Sequence, residues 1–385
     1  MNEKEKLKIA INTTYMDRRP AKGTAILIRN TIKELLKYRD EFDITLIHRE
    51  KIPEDPTYRE FKEIVLPKIK LPRGSSFVSE FIFHIFSWFK KEWQFDIIYY
   101  PYPLLHPFFW ISSSKKIIFM AMDGGAEIAG FTMKGYGKPT LVPKFFSWRI
   151  AIFLAISNFG KHGIEKKFNV SSKKVISIYC GLGEEFNPVV DKVGNQEYLS
   201  SKYNIPFPYI LDISRFDPHK NILRLIEAYN ELVKKDSIKE NLVFVGGRHL
   251  PDYSAQVDEL IDRLNIRDRI FVAPFISEED MPKVYSGAEM LVFPSLYEGF
   301  GLPAIEAMGC GIPTVLSDLD VLKEVSDGSA EFVDPYNVKS IENGIRNILQ
   351  NKDIRKKLSR KGIIWAKHFT WKSHVESLVL VFRSV

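Results

Sequence analysis

The chain has 385 residues, 45% hydrophobic and 27% charged, with a formal net charge of +7; that length calls for two domains, and the composition excludes a disordered or fibrous chain. The positive balance draws anions, whether nucleic acid, acidic lipid or a phosphorylated small molecule, without choosing among them. The two cysteines, Cys180 and Cys310, exclude a disulfide framework or a thiolate metal site and match a reducing compartment. Met1 to Lys8 is charged and lacks the apolar core of a secretory leader. No run reaches the ~20 apolar residues of a spanning helix, so a cytoplasmic protein with at most peripheral membrane contact is expected.

From end to end, short β-rich apolar runs alternate with longer segments of helical period, which predicts parallel sheets covered by helices. In the first half the pattern predicts strands at Lys8–Asn12, Asp43–Ile47, Ile97–Tyr100, Lys116–Met120, Phe153–Ile156 and Val175–Ile178. Helices are predicted near Gly23–Tyr38, Val78–Trp93 and Asn158–Phe168. Phe186 to Pro208 mixes Pro188, Gly194, Pro206 and Pro208 with polar residues and is read as the hinge, giving domains 1–188 and 189–385. A second series then follows: strands Tyr209–Ile213, Leu242–Val245, Ile270–Val272 and Met290–Phe293, and helices Ile222–Lys234, Tyr253–Asn265, Glu278–Ser286 and Pro303–Met308. Ile222, Leu225, Ile226, Tyr229, Leu232 and Val233 form one helical stripe and are assigned to core.

The densest local pattern is Pro294-Ser-Leu-Tyr-Glu298-Gly-Phe-Gly301-Leu-Pro303-Ala-Ile-Glu306. A strand ends, a glycine-containing loop follows, and Pro303 suits the first turn of a helix. Backbone N–H groups of Gly299, Phe300, Gly301 and Leu302 at that helix start, with the helix dipole, make a phosphate site. Gly299 and Gly301 let backbone approach a ligand. Glu306, one turn in, offers two acceptors to a ribose diol, and Glu298 can accept from hydroxyls of a sugar.

This run resembles the Glu, seven residues, Glu signature of the large retaining glycosyltransferase family 4. The resemblance implies an α/β protein of the GT-B arrangement, two facing Rossmann-like domains with a deep interdomain cleft. It also implies that the last helix, near Trp371–Phe382, crosses back onto the first domain. Ser214-Arg215-Phe216-Asp217-Pro218-His219-Lys220-Asn221 resembles the family's Gly-Arg-x-x-x-x-Lys segment, with Ser214 in place of glycine. Arg215 and Lys220 would grip the donor diphosphate from the carboxyl end of a strand. Gly246 and Gly247 correspond to a glycine pair that passes close to the nucleotide. Phe275-Ile276-Ser277 resembles the segment lining the base pocket, or else is a helix start with Ser277 as cap and Asp280 closing a capping box. In the first half, Gly23-Thr24 resembles the end of a glycine-rich loop near diphosphate and acceptor. Asp123 matches a His-Asp position in which Met122 replaces the histidine.

The resemblance implies a retaining hexosyltransferase that moves a mannose- or glucose-type sugar from a nucleotide-sugar, such as GDP-mannose or UDP-glucose, to a glycan or lipid-linked saccharide acceptor. The first domain would hold the acceptor and the second the donor. Catalytic roles fall to Arg215, Lys220, Glu298 and Asp123, with no cofactor and no metal, in keeping with the absence of an Asp-x-Asp motif. Alternatives are a GT-B enzyme acting on soluble sugars, such as a trehalose- or sucrose-type synthase, and a basic nucleic-acid-binding protein. The second lacks a recognisable module, and no nucleic-acid partner is expected. A nicotinamide oxidoreductase lacks its Gly-x-Gly-x-x-Gly after the first strand of either half. Val78, Phe81, Ile82, Ile85, Phe86 and Phe89 share a helical stripe, read either as core-facing or, with Phe83, Trp88, Trp93, Lys90 and Lys91 beside it, as a contact with anionic membrane.

Overall fold

A computed structural model of the protein describes residues 6–16, 23–49, 56–67, 75–102, 108–122, 145–236, 238–248 and 250–385. The chain forms two units, residues 1–181 with 371–385, and residues 182–370. The division falls ahead of the expected boundary at 188/189 because Leu182 bridges to Thr370 and the Phe186 ring packs edge-on against Tyr285. The chain therefore joins its second unit seven residues before the expected domain start at residue 189.

In the first unit the elements are β1 (Leu7–Asn12), α1 (Gly23–Leu35), β2 (Phe42–His48), β3 (Lys62–Val65), α2 (Ser75–Phe86), β4 (Ile97–Tyr100), β5 (Lys116–Met122), β6 (Ile152–Ala155), α3 (Asn158–Phe168) and β7 (Val175–Ser177). The strands form one parallel sheet in the order β3-β2-β1-β4-β5-β6-β7. β1, β2 and β4 are buried along nearly their whole length, as a sheet covered on both faces requires. Helix Trp371–Ser384 belongs to this unit: Phe382 packs edge-on against Phe42 and Tyr99, and Arg383 pairs with Glu41.

The second unit contains α4 (Lys192–Tyr203), β8 (Tyr209–Ile213), α5 (Ile222–Asp236), β9 (Asn241–Val245), α6 (Pro251–Leu264), β10 (Ile270–Val272), α7 (Met281–Gly287), β11 (Met290–Phe293), α8 (Leu302–Gly309), β12 (Thr314–Ser317), α9 (Asp320–Ser326), β13 (Glu331–Val333), α10 (Val338–Gln350) and α11 (Lys352–Ala366). Its parallel sheet runs β10-β9-β8-β11-β12-β13. The stripe on α5 is core as expected, with Leu225, Ile226, Tyr229 and Leu232 fully buried against Leu242, Phe244, Val292 and Ile345, while Val233 is partly buried at its edge.

Three expectations are corrected. The segment read as a hinge carries α4. Asp191 caps it by accepting from the Gly194 N–H, and Asn195, Leu199 and Tyr203 recur every four residues on its buried face; a stripe with so few apolar residues is hard to see beside prolines. The helix read as Val78–Trp93 ends at Phe86, and a separate 3-10 turn covers Lys91–Trp93. That helix is also turned over. Its buried side is Ser79, Glu80, Phe83, His84 and Ser87, whereas Phe81, Ile85 and Phe86 of the expected core stripe are exposed.

Candidate functional site

In an open α/β sheet, ligands bind beyond the carboxyl ends of the strands where the strand order reverses, because neighbouring loops there leave in opposite directions and open a crevice. In the second unit that point lies between β8 and β11. Of the residues expected to act, Arg215, Lys220 and Glu298 come from these two loops. Lys220 closes a 3-10 turn, Pro218–Lys220, after β8. Glu298 lies in the loop after β11, and the Lys220 Nζ donates to Glu298 Oε1 at 2.5 Å. The same Nζ sits 4.8 Å from the centre of the Phe293 ring. Both charged side chains are mostly buried, so the pair attracts more strongly than one in bulk water.

The loops are fastened together. The Leu296 N–H donates to the His219 carbonyl at 2.7 Å. Asn221 adopts a left-handed backbone at φ 61°, and its amide donates to the carbonyls of Pro294 and Pro335 at 3.0 and 2.6 Å. Loops after β8, β11 and β13 are thereby held by one side chain. Arg215 pairs with Asp217 at 2.9 Å. Burial and the neighbouring Lys220 charge push the His219 imidazole down to about 4, leaving it neutral near pH 7.

Gly246 follows β9 at φ +125°, and a Cβ there would lie 2.6 Å from the Ser214 carbonyl oxygen. The Phe216 N–H in turn donates to the Gly247 carbonyl at 3.0 Å. Glycine at 246 thus lets the β9 loop press on the backbone that carries Arg215. Gly247 has no atom within 4 Å of its added Cβ and borders open space. The Phe275 ring is 81% exposed beyond β10, while Ile276 is buried. Ser277 does not cap with its side chain, and its hydroxyl donates to Asp280 at 3.3 Å. Asp280 also accepts from Lys202, Tyr203 and Lys283, so the capping-box alternative is not the geometry found.

Gly301 is the N-cap of α8 at φ +97°. The Ala304 N–H is taken by the Gly301 carbonyl at 2.9 Å, and Pro303 has no N–H to offer. The Phe300 ring is buried edge-on against Phe369. Glu306 is on the second turn of α8 and accepts from the Tyr285 hydroxyl at 2.5 Å. Burial pushes its carboxyl up to about 7, against the lowering effect of that hydrogen bond. The structure therefore joins Lys220 to Glu298 directly and Gly246 to the Arg215 loop, while Glu306 is held by Tyr285 rather than by either cation.

Two residues of this site escaped sequence reasoning. Asp212 is fully buried in β8, takes a hydrogen bond from the Ser214 hydroxyl, and is pushed up to about 7 by burial, with Ser214 and the Lys220 charge opposing. An acid inside the apolar run Tyr209–Ile213 was the available signal. Tyr285 gave none, since a tyrosine on the apolar face of a short helix reads as core.

The first unit reverses its strand order between β1 and β4, and a buried polar network fills that carboxyl edge. Asn12, the last residue of β1, donates to Glu80 at 2.9 Å and accepts from the Tyr102 hydroxyl at 2.8 Å and the Thr14 hydroxyl at 2.8 Å. Tyr100 and His84 meet at 3.0 Å. Burial raises the Glu80 carboxyl, with His84, Asn12 and Arg49 opposing. Gly23 and Thr24 open α1. Asp123 lies outside the described residues. Met122 just before it has φ 61° and marks a register break in β5, a strained backbone for a long side chain. A cavity of about 380 Å³ lined by Lys6, Lys8, Arg39, Phe42, Asp43 and Lys62 lies at the amino ends of β1 to β3, the edge opposite these loops, and holds none of the expected residues. Among the described residues, no group of three or more His, Cys, Asp or Glu side chains is placed to hold a metal.

Residues 197–365, the segment that carries Lys220, Glu298 and α8, match the family model described as Glycosyl transferases group 1. Over 233 residues the chain is 30% identical to O-antigen chain mannosyltransferase B of Escherichia coli, covering 60% of each protein. Over 200 residues it is 34% identical to O-antigen chain mannosyltransferase RfbU of Salmonella typhimurium, covering 52% of this chain and 51% of that one. The match thus spans little more than half the length of these relatives. The solved structure of Anabaena HepE in complex with UDP and glucose superposes with a TM-score of 0.76 at 14% identity, covering 98% of this chain and 100% of that one. That likeness shows the fold, the two-sheet α/β architecture of GT-B glycosyltransferases.

Proposed function

We propose that the chain is a retaining, metal-independent hexosyltransferase that takes its sugar from a nucleotide-sugar at the switch point of the second unit and adds it to a saccharide or lipid-linked saccharide. The observation that carries this reading is the Lys220–Glu298 pair at 2.5 Å, set at the carboxyl edge of β8 and β11 beside the amino end of α8. Breaking an anomeric C–O bond leaves negative charge on a nucleoside diphosphate. Lys220, Arg215 and the backbone of Gly299–Leu302 supply preorganised positive potential for that charge. A bound diphosphate would draw Lys220 from Glu298, and the freed carboxylate would accept from hydroxyls of the donor hexose. Glu306 suits the ribose diol, and the exposed Phe275 ring with Ile276 suits the base. The resemblance matches Asp123 to a His-Asp position at which this chain has Met122, so no imidazole role is assigned there, and Asp123 is the candidate from the first unit. The two O-antigen relatives favour a mannosyl donor such as GDP-mannose and a growing glycan as acceptor, while HepE supports a uridine donor as the second choice. The network of Asn12, Thr14, Glu80 and Tyr102 supports an acceptor at the first unit, because it holds the loops leaving β1 and β4.

The test is transfer from a panel of nucleotide-sugars by wild type, Lys220→Met and Glu298→Gln. One donor should dominate. Each variant should lose ~100-fold or more in kcat, the scale of removing one preorganised electrostatic contact, while nucleotide binding by Glu298→Gln persists. Wild-type turnover in either variant, or nucleotide-sugar binding that ignores both substitutions, overturns the assignment.

A further inference from the structure

We propose that the first unit docks on a lipid bilayer with anionic headgroups through an aromatic face built from α2, the turn after it and two short segments packed beside them. The starting observation is that α2 is inside out. It buries Ser79, Glu80 and His84 beside Phe83 and exposes Phe81, Ile85 and Phe86, against the pattern that water imposes on a surface helix. The inversion has a cause on the buried side, where Glu80 and His84 belong to the polar network with Asn12 and Tyr100. Nothing in that network requires the other side to be apolar.

The exposed rings continue past the helix. Trp88 is 60% exposed and Phe89 79%. The Trp88 indole donates to the Ile111 carbonyl at 2.8 Å, which fixes this turn against the segment bearing Trp110. Trp110 stacks on Phe146 with centroids 4.8 Å apart at 10°, and on either side of Phe146 the rings of Phe145 and Trp148 are 73% and 67% exposed. These contacts make the three segments neighbours, and monomeric soluble proteins rarely leave aromatic surface of this extent in water. Trp and Phe are the side chains that settle at the headgroup level of a bilayer.

Charge selects the partner. Lys90 and Lys91 are exposed between Phe89 and Trp93, with the Lys90 ammonium 4.6 Å from the Trp93 ring centre, and Lys116 is exposed at the start of β5. Lysines interleaved with exposed rings suit acidic headgroups above an acyl layer, and would repel one another across an interface between two copies of this chain. No helix among the described residues is long and apolar enough to cross a membrane, so the contact is on the surface of the bilayer.

The test is flotation of the purified full chain with vesicles of phosphatidylcholine alone or with about one third phosphatidylglycerol. Wild type should float with the anionic vesicles and stay behind with the neutral ones. Phe89→Ala with Phe145→Ala and Trp148→Ala, and separately Lys90→Glu with Lys91→Glu, should each lower the bound fraction ~10-fold or more. Ile364→Ala with Leu380→Ala, which removes exposed apolar side chains elsewhere, should change nothing, and unchanged melting would show that each variant is folded. The proposal is overturned by absent flotation, by equal binding to neutral vesicles, by loss in the control variant alone, or by a dimer that the aromatic variant dissolves in the absence of vesicle binding. None of these outcomes depends on which sugar the second unit takes.

Discussion

Gly246→Ala and Gly247→Ala are adjacent, chemically identical substitutions that should fail in different ways. A methyl carbon at 246 would stand 2.6 Å from the Ser214 carbonyl oxygen and 2.8 Å from its carbon, both backbone atoms that cannot rotate aside. Adopting φ +125° with a side chain costs roughly 1–3 kcal/mol, and forcing packed backbone apart adds roughly 1–3 kcal/mol. For a unit of this size each kcal/mol lowers Tm by about 2–4 °C, so the second unit should melt on the order of 10 °C earlier. At 247 the φ is +76° and no atom lies within 4 Å, so only the left-handed backbone is penalised, by roughly 1–2 kcal/mol. Scanning calorimetry with and without GDP or UDP separates the cases. Gly246→Ala should lose stability with or without nucleotide, whereas Gly247→Ala should melt within a few degrees of wild type but lose the stabilisation that nucleotide confers, because its methyl fills the space a ligand would use. A Gly246→Ala protein that melts with wild type refutes the close approach of the two loops, and full nucleotide stabilisation in Gly247→Ala refutes the ligand path.

Asp212 and Glu306 both have carboxyls pushed up to about 7 by burial, so their neutral forms are the ones the fold prefers. Their stabilisation is complete below the ordinary carboxylate range and is lost as pH rises toward 7, by roughly 3–4 kcal/mol each; urea midpoints measured from pH 4.5 to 8 should fall, and Asp212→Asn should flatten the decline. Tyr285→Phe removes the hydroxyl that holds the Glu306 carboxyl down, so the pH at which nucleotide affinity reaches half its maximum should move upward, as titration calorimetry across pH 5.5 to 8.5 would register; an unmoved profile would detach Glu306 from the ligand. Phe275→Ala should leave Tm unchanged, because the ring is 81% exposed, yet weaken nucleotide binding about 10-fold if a base stacks there. Equal affinity would exclude that role.

Much of the second unit was legible because its signals are local. Gly301 and Pro303 encode a strand-loop-helix turn in adjacent residues, and the stripe on α5 repeats at helical period, so burial follows from pattern alone. Between Met308 and the last helix the elements were missed: β12 and β13 have only four and three residues, but α10 and α11 run over thirteen and fifteen, and the stripe of Ile341, Ile345 and Ile348 on α10 was legible. Earlier, α4 shows only Leu199 and Tyr203 as large buried side chains. That Arg215 and Lys220 lie near one strand end was readable from spacing, since both follow β8 by a few residues. Their partners were not, because Lys220 and Glu298 are 78 positions apart and meet only through the order in which β8 and β11 join the sheet.

Sequence by itself determined the alternation of strands and helices, the loop chemistry suited to a phosphate, and the resemblance that led to a transferase, since each rests on residues close together in the chain. Tertiary structure alone decided which side of α2 is buried. The hydrophobic stripe of that helix predicts the inner face wherever apolar contact is the strongest available, but here Glu80 and His84 find hydrogen-bonding partners on β1 and β4, and a buried carboxyl left without them would cost more than the exposed rings. A polar network assembled from strands far apart in the chain outweighs the local pattern, and no periodicity within one helix can announce it.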